Sequence, residues 1–509
     1  MACWLTFILL GLWIGSSAAF VASPAKNREP NAFSSATTQD QALRPSSLKL
    51  FIMDRRSSVQ QMGMISSMFN LFGGGDEDEE RGRGPTNIKP SVPGAKGPTN
   101  QVVRKVNGMK QRRLGGTDIY VSELGLGAQR WVSSDFNAPN QEECFQFMDY
   151  AILENGVNLI DTAEQYPIPS DGRESQEGDV ERVIGKWMKD RKVPREKVVI
   201  STKITGGRNV NPKNIIEDCE GSLKRLETDY IDTYLLHWPQ RYSPQSNWGQ
   251  SLAYNIENDS NLYWRGMGGP TSFEDLCISM DKLVKQGKIR SWGLCNDNAY
   301  GLTACTRTAK ALGTTPPCTM QGDFSLLDRK SEENGVAEAA SPYNENVGFM
   351  AYNALAGGML TGKYLDVPAA PDDIVLNRER AAQSIQQPRG RMDTRGWGFT
   401  LYRYRTEAAQ RAIQEYDQLA RKFKIAGGLT ELSLRWCRQR SLISSTLVGH
   451  SNMKQLEESI KYFTVAEPLP EELMWEIDRV HMKNRLPLFS SDRVGQDWNG
   501  EGEIGESIP

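Results

Sequence analysis

NLIDTAEQYP, residues 158–167, decides the fold. With Val157 before it, Asn158-Leu159-Ile160 makes a short apolar run of the kind that forms a buried strand, and the run ends in an acid, Asp161. A phenol, Tyr166, follows five residues later. Two similar runs come at regular spacing. VVISTK (198–203) ends in Lys203, and YIDTYLLHWP (230–239) carries His237 near its end. Helical patterns lie between them. In a parallel βαβ array the strand ends share one face, and such folds place their chemistry there. An acid, a phenol, an amine and an imidazole are thereby gathered at one mouth.

Working outward, the same alternation continues in both directions. Strand-like runs are ELGLGA (123–128), NLIDT, VVISTK, YIDTYLLH, IRSWGLC (289–295), CTMQGDFS (318–325), GFMAYNA (348–354) and STLVG (445–449). Amphipathic helical stretches separate them, among them EECFQFMDYAILENG (142–156), NPKNIIEDCEGSLKRLE (211–227) and FEDLCISMDKLVKQG (273–287). Eight strands, each followed by a helix, is the count of an α/β (β/α)8 TIM barrel, here over residues 108–485. A short hairpin opens it, MKQRRLGGTDIYVSEL (109–124), turning at Gly115-Gly116-Thr117-Asp118. Two long interruptions, 241–271 and 356–406, fall after the fourth and seventh strands, over the catalytic face. Their aromatics and arginines suit a substrate lid and a cofactor clamp, or a small core that packs the loops onto the barrel.

Composition narrows the classes. The 509 residues carry 60 basic against 63 acidic side chains, a net charge of −3 that suggests no nucleic-acid role. Eight cysteines without metal-ligand spacing read as reduced thiols, and three histidines (His237, His450, His481) argue against a multi-histidine metal site. Residues 1–19 hold an uncharged apolar run, Cys3 to Ile14, then the small residues SSAA, in the manner of a signal peptide. That run is short for a membrane span of about 20 residues, so no stable membrane association of the mature form is expected. Residues 20–70 are serine-rich and more basic than acidic, like a transit peptide. The two in series, with Phe20 at the junction, resemble the two-part presequence of plastid proteins in algae with secondary plastids; secretion is the other destination. Residues 71–107 read as a disordered linker and 486–509 as a C-terminal tail.

The four strand-end residues make one chemistry between them. A phenol titrates near pH 10 and needs its anion stabilised to act as an acid at neutral pH. An ammonium such as Lys203 would lower that value, and a carboxylate such as Asp161 would hold the ammonium in place. An imidazole such as His237 can orient a carbonyl oxygen by a hydrogen bond. Tyr166 could then protonate an oxygen that gains charge as hydride arrives at carbon. Taken singly, each residue is as readily a helix cap or a packing side chain. The set offers no nucleophile–base pair for hydrolysis and no second carboxylate for glycoside cleavage.

GVNLIDTAEQYP, ISTKITG, SLKRLETDYIDTYLLHWPQR, GKIRSWGLCNDNAYG and MAYNALAGGMLTGKYL together resemble the aldo-keto reductase superfamily. The likeness covers about residues 110–483 and is greatest to the Tas-like NADP(H)-dependent reductases. It implies a tetrad of Asp161, Tyr166 as proton donor, Lys203 and His237. It further implies NADP(H) as cofactor and a small carbonyl compound as substrate. Asn296 and Gln321 match contacts to the nicotinamide carboxamide, which needs a paired donor and acceptor. Tyr352 matches an aromatic that stacks on the ring, within the segment that also holds Asn353 and Leu355. Gly357 and Gly358, with Lys363 after them, would let backbone approach the diphosphate. TLVGHSNMKQLEESI (446–460) matches the adenosine end, with Gly449, Ser451, Gln455 and Glu458 at matching positions. Lys454 is a candidate for the 2′-phosphate, and Arg403, in the clamp, for another phosphate.

Three residues depart from the family pattern: Cys295 where serine is usual, His450 where a small residue follows the glycine, and Ser459 in place of asparagine. The expectation is NADPH-dependent reduction of aldehydes or ketones to alcohols. The alternative, from members associated with membrane channels, is a regulatory subunit that binds nicotinamide and turns over little. The sequence leaves the oligomeric state open.

Overall fold

The computed structural model describes residues 94–168, 177–243, 270–366, 389–393, 404 and 406–485. The presequence, the first part of the proposed linker, most of both long loops, Arg403 and the tail from 486 lie outside the described residues. Among the described residues, no helix is long and apolar enough to cross a membrane.

Eight parallel strands close into a barrel, as expected. They are β4 (Leu124–Gly127), β5 (Leu159–Asp161), β6 (Val199–Ile204), β7 (Ile231–Leu236), β8 (Ile289–Cys295), β9 (Thr319–Asp323), β10 (Gly348–Tyr352) and β11 (Ile443–Val448). Each pairs with the next in sequence and β11 returns to β4, with Val448 opposite Leu126. Nearly all their residues are buried, Arg290 on β8 being exposed, as a parallel sheet under a helical layer requires. Inside, Leu159, Val199, Leu235, Met350 and Leu447 fill the barrel. Leu114, Ile119 and Val121 from the opening hairpin complete that cluster.

Antiparallel strands β2 (Met109–Arg113) and β3 (Tyr120–Ser122) form this hairpin. They are joined by a strand that the linker reading missed. β1 (Val102–Val106) pairs with β2, placing Val102 opposite Arg112 and Val106 opposite Met109. The expected disordered linker of 71–107 is therefore corrected at its end, because ordered structure begins by residue 94. β1 is almost wholly exposed and buries no apolar face, so its composition resembles a linker and only its pairing makes it a strand.

The outer layer follows local signals. Helix α1 (Gln141–Met148) starts with a capping box, Asn140 taking the Glu143 amide while the Glu143 carboxylate takes the Asn140 amide. It continues as a π-helical turn, Asp149–Glu154, where the sequence suggested one uniform helix. Asp149 there accepts from Trp187 Nε1 at 2.8 Å, which ties the widened turn to α2 (Asp179–Asp190). Helix α3 (Pro212–Arg225) has Asn211 as cap and proline at its first position. Then come α4 (Phe273–Lys285), α5 (Ala299–Leu312), the short α6 (Lys330–Glu333) and α7 (Val336–Ala340), α8 (Glu407–Lys422), α9 (Gly428–Gln439) and α10 (Met453–Thr464). A final helix, α11 (Glu471–Lys483), lies along α8 with Lys483 Nζ 2.5 Å from Glu415.

Candidate active site

The sheet register brings the expected side chains to one mouth. Asp161 ends β5 beside Ser201, and Lys203 on β6 lies beside Leu235, two residues before His237. Lys203 Nζ donates to Asp161 Oδ2 at 2.8 Å and to the Thr162 carbonyl at 2.7 Å. Both partners are buried. The ammonium stands 5.2 Å from the centre of the Tyr166 ring, and the His237 ring meets that ring edge-on at 5.7 Å. All four tetrad candidates are thus together, from three successive strand ends.

Burial sets their protonation. The Tyr166 phenol is pushed well above its ordinary value by burial, and then by the Asp161 carboxylate. This corrects the expectation that Lys203 would acidify it. The lysine charge is paired with Asp161, 2.8 Å away, and burial outweighs its pull on the phenol. A phenol that keeps its proton is nonetheless the form a proton donor needs. His237 is held well below its usual value by burial and by the Lys203 ammonium, so the ring is neutral. Its Nδ1 is buried with no hydrogen-bond partner.

A second layer of amides surrounds the tetrad. Gln321 on β9 donates through Nε2 to Asp161 Oδ1 at 2.7 Å and accepts from Cys295 Sγ at 3.4 Å. Asn296, just past β8, is in the left-handed region with φ 56°. Its Nδ2 donates to the His237 carbonyl at 3.0 Å, and its Oδ1 accepts from Tyr352 Oη at 2.5 Å. Tyr352, expected as a stacking ring, therefore also fixes the Asn296 amide. Asn353 serves the loop: its Oδ1 takes the Gly357 amide at 2.7 Å, and its Nδ2 bonds Asp323 and Tyr404 Oη. Leu355 contributes its carbonyl to the Gly358 amide at 2.8 Å.

At the other end of the mouth, Gly127 and Gly449 face each other across the β4–β11 seam. A Cβ on Gly449 would lie 3.4 Å from the Gly127 carbonyl oxygen, an ordinary contact, so backbone meets backbone there. Gly357 and Gly358 have φ of 65° and 99°, which glycine adopts without cost. A Cβ on Gly358 would meet Lys363 Nζ at 3.3 Å. Lys363 is pushed down to about 8, by burial first and then by Arg391 and Arg130. Arg391 is itself pushed down to about 10, by burial and by Arg130. Arg130 donates through Nη1 to Ser451 Oγ at 3.1 Å and pairs with Asp135 at 2.9 Å. Cations from two loops thus crowd one place and raise one another's cost.

The adenosine-end candidates divide. Ser451 accepts from Arg130, and its amide donates to Gln455 Oε1 at 2.9 Å, which turns that side chain into part of the α10 cap. Lys454 is strongly exposed and sits 3.9 Å from Glu458 on the same helix. Arg403 lies outside the described residues. Sequence reasoning missed Arg130, since a lone arginine after a strand carries no periodic signal. It also missed Arg241, which holds Asp297 through two bonds of 2.6 and 2.9 Å beside Asn296. The HWPQR segment that ends in Arg241 was the available hint.

Comparison with known proteins accords with this site. A family profile described as the aldo/keto reductase family matches residues 123–481, from the start of the barrel into α11. Protein tas of Escherichia coli (strain K12) is 32% identical over 390 residues, covering 74% of this chain and 99% of that protein. The protein of the same name from Shigella flexneri gives the same figures. An aldo-keto reductase of Babesia bovis is 33% identical over 307 residues, 57% of this chain and 98% of its own. With the barrel, the strand-end residues and these relatives in agreement, the chain belongs to the aldo/keto reductase family.

Proposed function

We propose that this oxidoreductase reduces aldehyde or ketone carbonyls to alcohols with NADPH, with Tyr166 as proton donor. The observation that carries the reading is the buried, protonated Tyr166 set against the Lys203–Asp161 pair and a neutral His237. The residues present fit the cofactor. The crowded cations Lys363, Arg391 and Arg130 are relieved by phosphates. Asn296 and Gln321, already oriented by Tyr352 and Cys295, keep capacity for a carboxamide. Arg130, through Ser451, joins Lys454 as a candidate for the 2′-phosphate.

When bound, the reduced nicotinamide supplies the hydride. His237 hydrogen-bonds the substrate oxygen as a neutral ring and orients it. Tyr166 releases its proton to that oxygen as charge develops there. The phenolate left behind is stabilised by the Lys203 ammonium over its ring face, 5.2 Å from the centroid. Asp161 keeps that ammonium from swinging away.

The test is Tyr166→Phe. NADPH-linked reduction of a panel of aldehydes should fall by about 10²–10⁴-fold, the usual worth of a positioned general acid. Undiminished turnover would remove the reading. Cofactor held tightly by a wild-type protein with no turnover would favour the regulatory alternative. Delivery to a plastid by residues 1–70 is likewise proposed; a fluorescent fusion of that segment retained in the cytosol would oppose it.

A further inference from the structure

β5 and β6 run in register from Leu159 opposite Val199 to Asp161 opposite Ser201. The ladder continues past the strand end: the Thr162 amide donates to the Ser201 carbonyl at 2.8 Å, and the Glu164 amide to the Lys203 carbonyl at 3.2 Å. There the chain must leave the sheet, because Tyr166 has to reach into the mouth. Its amide turns back to the Ala163 carbonyl at 3.1 Å. The next donor on the β6 side, the Thr205 amide, is met by a side chain instead. Glu164 Oε1 accepts from Thr205 N and from Thr205 Oγ1, each at 2.5 Å.

We propose that Glu164 is a positioning residue for Tyr166, its carboxylate closing the β5–β6 seam at the rung where the main chain turns away and so fixing the phenol relative to Lys203. This rests on the reductase reading given above. Glu164 lies two residues from Tyr166, and its main chain and side chain grip β6 at the Lys203 carbonyl and the Thr205 amide, just past the Lys203 side chain. A shift of about 1 Å in a reacting group can cost about 10²-fold in rate.

The grip is held by an acid in an acidic neighbourhood. Burial pushes the Glu164 carboxyl up to about 7, with Asp218 on α3 and Glu181 on α2 adding to the rise. Arg225 answers Glu181 at 2.6 Å, Asn209 donates to Asp218 at 2.7 Å, and the buried Tyr234 phenol on β7 feels all three acids. An ionised acceptor binds the two Thr205 donors about twice as strongly as a neutral one. The grip therefore tightens as pH rises through about 7. The fold opposes this: with its folded value raised, Glu164 lends stability at low pH that is lost as pH climbs from its unfolded value to about 7.

The experiment uses the full chain with NADPH and 4-nitrobenzaldehyde from pH 5.5 to 9, on wild type, Glu164→Gln, Glu164→Ala and Thr205→Val. Glu164→Ala should lose about 10²-fold in kcat with the KM for NADPH changed by no more than about threefold. Wild-type kcat should rise through pH 7. Glu164→Gln should keep most of the activity without that rise, and Thr205→Val should fall between. Amide hydrogen exchange over residues 162–168 and 205 should quicken in Glu164→Ala. Unchanged kcat in Glu164→Ala, or the same limb in Glu164→Gln, would overturn the proposal. A wild type without turnover would fail the reductase reading alone, and exchange would then decide this inference. Should Glu164→Ala not fold, the pH profile of Glu164→Gln decides it.

Discussion

His450 Nε2 lies 3.0 Å from Ser459 Oγ, so two residues that depart from the family pattern are partners of each other. Ser459 Oγ also donates to the Gln455 carbonyl at 2.8 Å, which uses its single proton. Proton counting then assigns the hydrogen to His450 Nε2, with the serine as acceptor. The imidazole joins the turn after β11 to the middle of α10. It takes up the serine that stands where the family pattern has asparagine.

This pair predicts a pH effect on stability. Burial pushes His450 down to about 3, so the folded chain binds fewer protons there than the unfolded chain below the ordinary histidine value. The contribution is complete above about 6.5 and is lost as pH falls from there toward 3. Over that window one proton is worth about 1.4 kcal/mol per pH unit. His450→Leu should flatten the fall in urea midpoint between pH 7 and 5 relative to wild type. Equal slopes would show that the ring takes up its proton within the folded state.

The Lys203–Asp161 pair predicts a stability cost separable from catalysis. Both partners are buried, and Gln321 and Ser201 also point at Asp161. Removing the ammonium in Lys203→Met leaves the carboxylate uncompensated, at a cost of about 3–5 kcal/mol. The double variant Lys203→Met/Asp161→Leu should recover much of that loss and none of the activity. Calorimetry measures the first and turnover the second; additive losses in stability would contradict the coupling.

The barrel was legible because short strand-like runs alternate regularly with stretches of helical periodicity. The tetrad was legible because strand ends in such a barrel share a face. What escaped the sequence depends on pairs distant along the chain. β1 has no buried face and exists through its pairing with β2. Arg130 matters through Ser451, and Glu164 through Thr205. The protonation of Tyr166 was misjudged because its burial, which no single stretch of sequence shows, outweighs the Lys203 ammonium. That ammonium is paired with Asp161.

The cation cluster predicts cofactor affinity that falls with salt and with alkali. Lys363 carries its charge below about 8 and loses it above, so NADPH should bind less tightly at pH 9 than at pH 7. Arg130→Gln and Lys363→Met should each weaken NADPH by about tenfold, equal to about 1.4 kcal/mol, and lessen the salt dependence. Arg130→Gln should weaken NADH less than NADPH if it faces the 2′-phosphate. Fluorescence titration reads all of these, and an affinity unmoved by either substitution would place the phosphates elsewhere.

Neither Tyr166 nor His237 should supply a limb to the pH–rate profile of reduction between about pH 6 and 9. The phenol stays protonated because its value is raised well above 10, and the imidazole stays neutral because its value is driven well below 6.5. Any limb near pH 7 then belongs to Glu164, and it should persist in His237→Gln, whose amide can still donate to the substrate oxygen. His237→Gln should lower kcat/KM for the carbonyl compound more than it changes cofactor affinity, since the ring orients the oxygen and touches no phosphate. A limb that vanishes with His237 instead would mean that the ring titrates in the complex, and that the barrel mouth is wetter than its burial implies.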